Sequence, residues 1–170
     1  RMEVLDELLG CKVYLKAECM QKTNSFKIRG ALNKMLTMSE DELKAGVVAA
    51  SSGNHGKGVA FVAELLGVKA TIVVPDNAPK IKVDGIKSFG ARVVQCPYDE
   101  RHNVANALNK EYGYSIVHPY DDYAIMAGQG TIGLEIMEQL PDVDYVIVPI
   151  GGGGLISGIS TAVKEISSSV

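Results

Sequence analysis

The chain has 170 residues, a net charge of -3, and 46% hydrophobic against 22% charged residues, a balance that suits a globular protein with one good core or two small lobes. Charges of both signs are interspersed and no basic patch alternates with aromatics, which argues against a nucleic-acid partner. The longest apolar runs have strand length, too short for a membrane span, and no signal-peptide pattern opens the chain. Cys11, Cys19 and Cys96 form no CxxC pair, so they read as reduced, small buried hydrophobes of a cytoplasmic protein. His55, His102 and His118 lack metal-site spacing, and no metal is expected.

In chain order, Val4, Leu5, Leu8 and Leu9 mark a first helix, and Val13 to Ala17 alternates as a half-buried strand. From Ser25 to about Met38 the apolar positions fit a helix. Ser39-Glu40-Asp41-Glu42 matches a capping box and opens a short second one, ended by Gly46. A regular alternation follows: strand 47–50, helix 54–66, strand 70–74, helix 80–89, strand 91–95, helix 99–112, strand 115–118, helix 123–140, strand 143–150 and helix 155–166. Strands alternating with helices, rich in Val and Ile and mostly without polar alternation, predict parallel sheets covered on both faces.

Three segments carry chemistry. Lys27 stands just inside a helix start between Phe26 and Ile28. A lysine in a partly dry setting has a lowered amine pKa and can attack an aldehyde, although most helical lysines are simply solvated. Arg29 fits pairing with an acid. Gly151-Gly152-Gly153-Gly154 joins an apolar strand to a helix, where unencumbered backbone N–H groups and a helix N-terminus form a phosphate cradle. The turn lacks both the P-loop Lys-Ser/Thr and the GxGxxG arrangement. Ser51-Ser52-Gly53-Asn54-His55-Gly56 occupies a second strand–helix junction. There Asn54 can cap the helix or touch a ligand oxygen, His55 reads as a supporting residue, and Ser52 becomes a candidate proton carrier once Lys27 is taken into account.

Ser25-Phe26-Lys27-Ile28-Arg29-Gly30, Ser52-Gly53-Asn54-His55 and Gly151–Gly154, in that order and spacing, resemble the fold-type-II pyridoxal-phosphate (PLP) enzymes, within them the serine/threonine dehydratase and serine racemase family. Val13-Tyr-Leu-Lys16, Val73-Val-Pro75, His118-Pro119, Ala127-Gly-Gln-Gly-Thr131 and Val148-Pro149 extend the likeness over nearly the whole chain. The resemblance implies an α/β fold of two open parallel twisted sheets flanked by helices, similar to the tryptophan synthase β chain. Residues 1–45 and 121–170 would form part of a large PLP-binding domain, residues 46–120 a small domain that closes over the substrate. Family members run to about twice this length, so the C-terminal part of the large domain, with the pyridine-nitrogen partner and any cation site, would be missing.

The same resemblance implies roles. Lys27 carries PLP as a Schiff base and moves the substrate α-proton, Phe26 packs beside the cofactor, and Asn54 bonds its 3-hydroxyl. Gly151, Gly152, Gly153 and Gly154 hold its phosphate. Ser51, Ser52, Gly53, Asn54 and His55 line the substrate carboxylate site. The implied reaction is β-elimination of water from L-threonine or L-serine, giving a 2-keto acid and ammonia. The alternative is a serine racemase with Lys27 and Ser52 as opposed proton carriers; Ser52 leans toward it, while His118-Pro119-Tyr120-Asp121-Asp122 looks more like the dehydratase version. From another class, an inactive fragment or a phosphate-binding α/β module would retain the same loops. The expected partners are a small amino-acid substrate and, at full length, further copies of the chain, with neither nucleic acid nor membrane.

Overall fold

A computed structural model describes all residues, 1–170. Three helices come first: α1 (Glu3–Leu9), α2 (Lys27–Leu36) and α3 (Glu40–Ala45). Then β1 (Val47–Ala50), α4 (Asn54–Leu66), β2 (Ala70–Pro75), α5 (Lys80–Lys87), β3 (Arg92–Cys96), α6 (Arg101–Tyr112) and β4 (Ser115–Ile116) alternate, before α7 (Tyr123–Gln139) and α8 (Gly154–Ile166). The predicted capping box forms: Ser39 Oγ accepts from Glu42 N–H, and the Glu42 carboxylate accepts from Ser39 N–H at 2.8 Å. No helix is long and apolar enough to cross a membrane.

The four strands are parallel, in the order β3-β2-β1-β4, with Val47 level with Ala70 on one side and Ser115 on the other. Successive side chains of a strand point to opposite faces. Val47, Ala49, Ile72 and Val74 therefore meet α4 and α5, in a core shared with Val59, Val62 and Ile86. Val48 and Val73 meet α6 through Ala105 and Leu108, with Cys96 buried beside them, whereas Cys11 and Cys19, expected inside, are exposed because the segments that carry them lie outside the core. Both faces being covered, these strands read as unbroken apolar runs.

A third cluster, Ile132, Met137, Ile159 and Val163, joins α7 to α8. α2 and α7 cross almost in backbone contact: a Cβ on Gly128 would stand 2.6 Å from both the Arg29 carbonyl oxygen and the Gly30 Cα. Only glycine permits that approach, and it seats the first turn of α2, with Lys27, against α7.

Of the two sheets expected, one forms within this chain. Residues 13–17 and 143–150 read as strands, yet neither belongs to a ladder. The Val13 backbone is committed to α1, its N–H donating to Asp6 Oδ1 at 2.6 Å and its carbonyl accepting from Met2 N–H at 2.9 Å. In 143–150, Val143, Val146 and Val148 pack on the α7–α8 cluster while Tyr145 and Ile147 face outward. The alternation is that of a strand, but no strand lies alongside it. β4 is also shorter than predicted: Val117 N–H still donates to the Val48 carbonyl, but the Val117 carbonyl is taken by a histidine and the ladder ends.

Candidate active site

In an open parallel sheet, ligands bind beyond the carboxyl ends of the strands, where neighbouring crossovers leave in opposite directions. β1 is that point, with β2 on one side and β4 on the other. The loop after β1 holds Ser51, Ser52 and Gly53, and the loop after β4 holds His118, Pro119 and Tyr120. The N-termini of α2 and α8 come to the same end of the molecule. A cleft of roughly 320 Å³ opens there, lined by Phe26, Lys27, Tyr120 and the whole 151–154 turn. Lys27 and the four glycines, 124 residues of chain apart, share one cavity.

Lys27 is the first residue of α2. Its Nζ donates to the Pro119 carbonyl at 2.5 Å and lies 5.2 Å from the centre of the Phe26 ring. No carboxylate pairs with it, and burial pushes its pKa below the usual lysine value, because the charged form loses hydration. The amine is thereby biased toward its nucleophilic, neutral form.

Arg29 has the structural role read from the sequence. Its guanidinium grips Glu18 through Nε (2.8 Å) and Nη2 (2.9 Å), reaches Glu135 through Nη1 (2.5 Å) and Nη2 (2.9 Å), and donates to Thr131 Oγ1 at 3.0 Å. Lys16 adds a second pair to Glu135 at 2.5 Å. Hydrogen bonding to Arg29, then to Lys16, holds the Glu135 carboxyl down at about 2 against its partial burial. The network ties α2, two residues past Lys27, to α7 through Glu135 and to the segment before α2 through Glu18.

The glycine turn is built for close approach. Gly153 is the N-cap of α8, at φ 89°, a left-handed conformation that favours glycine. A Cβ on Gly152 would be driven into the Tyr120 ring, and one on Gly154 would meet the Tyr120 carbonyl oxygen at 2.7 Å. The first N–H groups of α8 have no acceptor within their own helix and carry its positive end.

The 51–56 segment corrects two readings. Asn54 does not cap α4: Gly53 is the N-cap, and Asn54 is the first helical residue, with its side chain exposed. Its amide is left free for a ligand. His55 is 3% exposed, so its ring cannot reach a substrate. Its Nε2–H donates to the Val117 carbonyl at 2.8 Å, and from this segment only backbone is offered at that position. Ser51 Oγ accepts from Gly53 N–H at 3.2 Å, while Ser52 is half-buried beside it. Neither serine lines the Lys27 cleft.

Burial, with the positive charges of Lys27 and His118 nearby, lowers the His55 pKa to about 4, and its bond to Val117 offsets only part of that. Between about pH 6.5 and 4 the unfolded chain therefore binds a proton that the folded chain refuses. Stability rises with pH through this window and falls as the solution is acidified. In the whole protein, urea unfolding at pH 4.5 should show about 2.5 kcal/mol less stability than at pH 7 from this group alone. His55→Gln, which keeps a donor for Val117, should lose that part of the acid sensitivity.

Tyr120, Pro119 and His118 escaped the sequence reading as site residues. The signal lay in their place just after a strand, but the side of β1 on which β4 would lie was not legible. Ser25, two residues before Lys27, holds a hydroxyl that is buried without a partner.

A dry amine facing a glycine-built anion cradle is the constellation of an enzyme that carries a phosphorylated aldehyde. The family profile of pyridoxal-phosphate dependent enzymes matches residues 1–170, and the chain belongs to that family. It is 52% identical over 169 residues to an L-threonine ammonia-lyase of Thermotoga maritima, covering 98% of this chain and 42% of the relative. It is 51% identical over 160 residues to a catabolic L-threonine dehydratase of Staphylococcus aureus, covering 93% and 46%. Among solved structures it superposes on maize serine racemase with a TM-score of 0.96 at 41% identity, covering 99% of this chain and 52% of that one. The processed threonine deaminase isoform 2 of Solanum lycopersicum gives 0.96 at 42% identity, covering 99% and 47%. The fold-type-II reading stands, and the chain spans about half the length of the relatives it matches.

Proposed function

We propose that the whole protein containing this chain removes water from L-threonine or L-serine, giving a 2-keto acid and ammonia, with PLP held on Lys27. The observation that carries this reading is the single cleft shared by the desolvated Lys27 amine and the Gly151–Gly154 turn. The residues fit the cofactor. The N–H groups of the turn and the start of α8 match a phosphate dianion, Phe26 offers a flat apolar wall, and Lys27 offers an amine ready to lose its proton. Bound there, PLP supplies an electron sink for the charge left when the Cα–H bond breaks.

Lys27 Nζ then takes the α-proton, and its lowered pKa suits it to do so near neutrality. The N–H groups of Ser52 and Asn54 and the positive end of α4 hold the substrate carboxylate, those of Ser51 and Gly53 being already given to the Val73 carbonyl and to Ser51 Oγ. Asn54, not used as a cap, would hold the cofactor hydroxyl with its side-chain amide. Residues 46–120, which contain the entire sheet, act as the smaller domain and close over the substrate, with 1–45 and 121–170 in the larger one. Borohydride reduction after PLP addition to the whole apoprotein should leave the label on Lys27. A label spread over surface lysines would overturn the assignment.

Ser52 supports a second reading, a racemase in which its hydroxyl serves the face opposite Lys27, as the likeness to maize serine racemase allows. L-Serine should yield pyruvate without D-serine if the lyase reading holds, and D-serine accumulation would favour the racemase. Ser52→Ala should then lower racemisation by about 100-fold or more while leaving elimination largely intact. Equal loss of both would deny Ser52 a separate role.

A further inference from the structure

The loop after β4 does more than wall the cleft. Its Pro119 carbonyl is the one partner of the Lys27 amine. A carbonyl on a short loop is only as well placed as the turn that carries it, and this turn is closed by a side chain. His118 Nδ1 accepts from Asp121 N–H at 2.8 Å and from Tyr120 N–H at 3.4 Å. The His118 ring also meets the Tyr120 ring edge to face, with centres 4.8 Å apart, and Tyr120 bears on Gly152. One imidazole thus connects the amine end of the cleft with its glycine end.

We propose that His118 is a positioning residue for Lys27: its Nδ1, acting as acceptor, closes the 118–121 turn and so presents the Pro119 carbonyl to the Lys27 amine. The arrangement requires an unprotonated Nδ1. A protonated ring would aim a third N–H at two N–H donors, and the turn would open. The groups facing the ring are Lys27 from α2, His55 from α4, His102 from α6, and Asp121 and Asp122 from its own loop. Burial keeps the His118 pKa below its ordinary value, with His102 and Lys27 acting in the same direction and the two aspartates against it. The acceptor form is therefore the one present at neutral pH. That Lys27 carries the cofactor is taken from the functional reading above; the path from His118 through the Pro119 carbonyl to Lys27 is independent of it.

Two substitutions separate the acceptor from the ring. His118→Asn retains an acceptor oxygen on the same side-chain branch but does not titrate. His118→Phe retains the aromatic contact with Tyr120 but accepts nothing. In the whole apoprotein, the rate at which PLP labels Lys27 is followed by borohydride trapping and peptide mapping from about pH 5 to pH 8, the range in which imidazoles titrate. Wild-type labelling should fall on the acid side with a step from His118 added to the slope of the amine itself. His118→Asn should keep the neutral rate within about twofold and lack the step, and His118→Phe should label about tenfold more slowly.

A cofactor-free arm measures trace acetylation of Lys27. Without its carbonyl acceptor the ammonium is less stabilised, and at neutral pH acetylation should rise about threefold or more in His118→Phe and stay at the wild-type rate in His118→Asn. Equal acetylation in all three proteins, or an acid step retained in His118→Asn, overturns the proposal; the latter comparison suffices where His118→Phe fails to fold. Labelling that misses Lys27 in the wild type, with acetylation behaving as expected, overturns the cofactor assignment and leaves the positioning role standing.

Discussion

If the proposed function holds, Lys27→Ala should abolish turnover of L-threonine and L-serine by the whole protein, by about 10⁴-fold or more, since on that reading one substitution removes both the covalent anchor and the proton carrier. Lys27→Arg should do no better, because a guanidinium stays protonated and cannot attack an aldehyde. The loss should occur without unfolding. Lys27 has no carboxylate partner, and its charge is already disfavoured by burial, so truncation removes a dehydrated cation along with one hydrogen bond. The thermal midpoint should stay within a few degrees of wild type, about 1 kcal/mol or less. Steady-state assay beside thermal unfolding checks both halves. Activity within tenfold of wild type in a folded Lys27→Ala protein would end the functional reading.

Arg29→Met should act in the opposite way, costing stability first. The guanidinium is 14% exposed, Glu18 15% and Glu135 36%. Removing it leaves Glu18 nearly buried with no cation, whereas Glu135 keeps Lys16. Breaking a fully buried pair costs about 3–5 kcal/mol. The exposure of Glu135 reduces this to about 2–3 kcal/mol, or a thermal midpoint lower by roughly 5–10 °C. The pH dependence should change with it. The folded Glu135 pKa is depressed, so its contribution is complete above the unfolded value near 4.3 and is lost as pH falls toward 2. Arg29→Met should flatten that acid limb, and an unchanged limb would show that Arg29 does not hold Glu135.

The elements made by local chemistry were legible in the sequence. Helix 54–66 was read to the residue, because Gly53 and Gly67 bound a run whose apolar face recurs at helical spacing. The Ser39–Glu42 box was equally plain. What failed depended on partners elsewhere in the chain. Residues 143–150 have the composition of a buried strand, but a strand exists only beside another. The segment 13–17 gave its first residue to α1, a competition between backbone groups that periodicity does not register.

The site followed the same division. Lys27 and the glycine turn were found as motifs, each explicable locally, and their meeting in one cleft is the work of the fold. Of the two roles that the sequence allows Asn54, cap or ligand contact, the cap falls away because Gly53 takes that position. Tyr120 and Pro119 went unread because their importance comes from β4 pairing with β1 across a long stretch of sequence, which a single chain does not disclose.

The stretch from Val143 to Ile150 has a practical consequence for the bench. One flank of it is already interlocked with α7 and α8, so the main-chain donors and acceptors beyond the Val143 N–H, which the Leu140 carbonyl takes, are held in an open row, with Tyr145 and Ile147 standing clear of it. Such a row offers a template to any extended polypeptide, another molecule of this chain included. Shielding that row, by co-expression of a pairing segment or by a charged substitution at Ile147, should keep the 170-residue chain from associating through it.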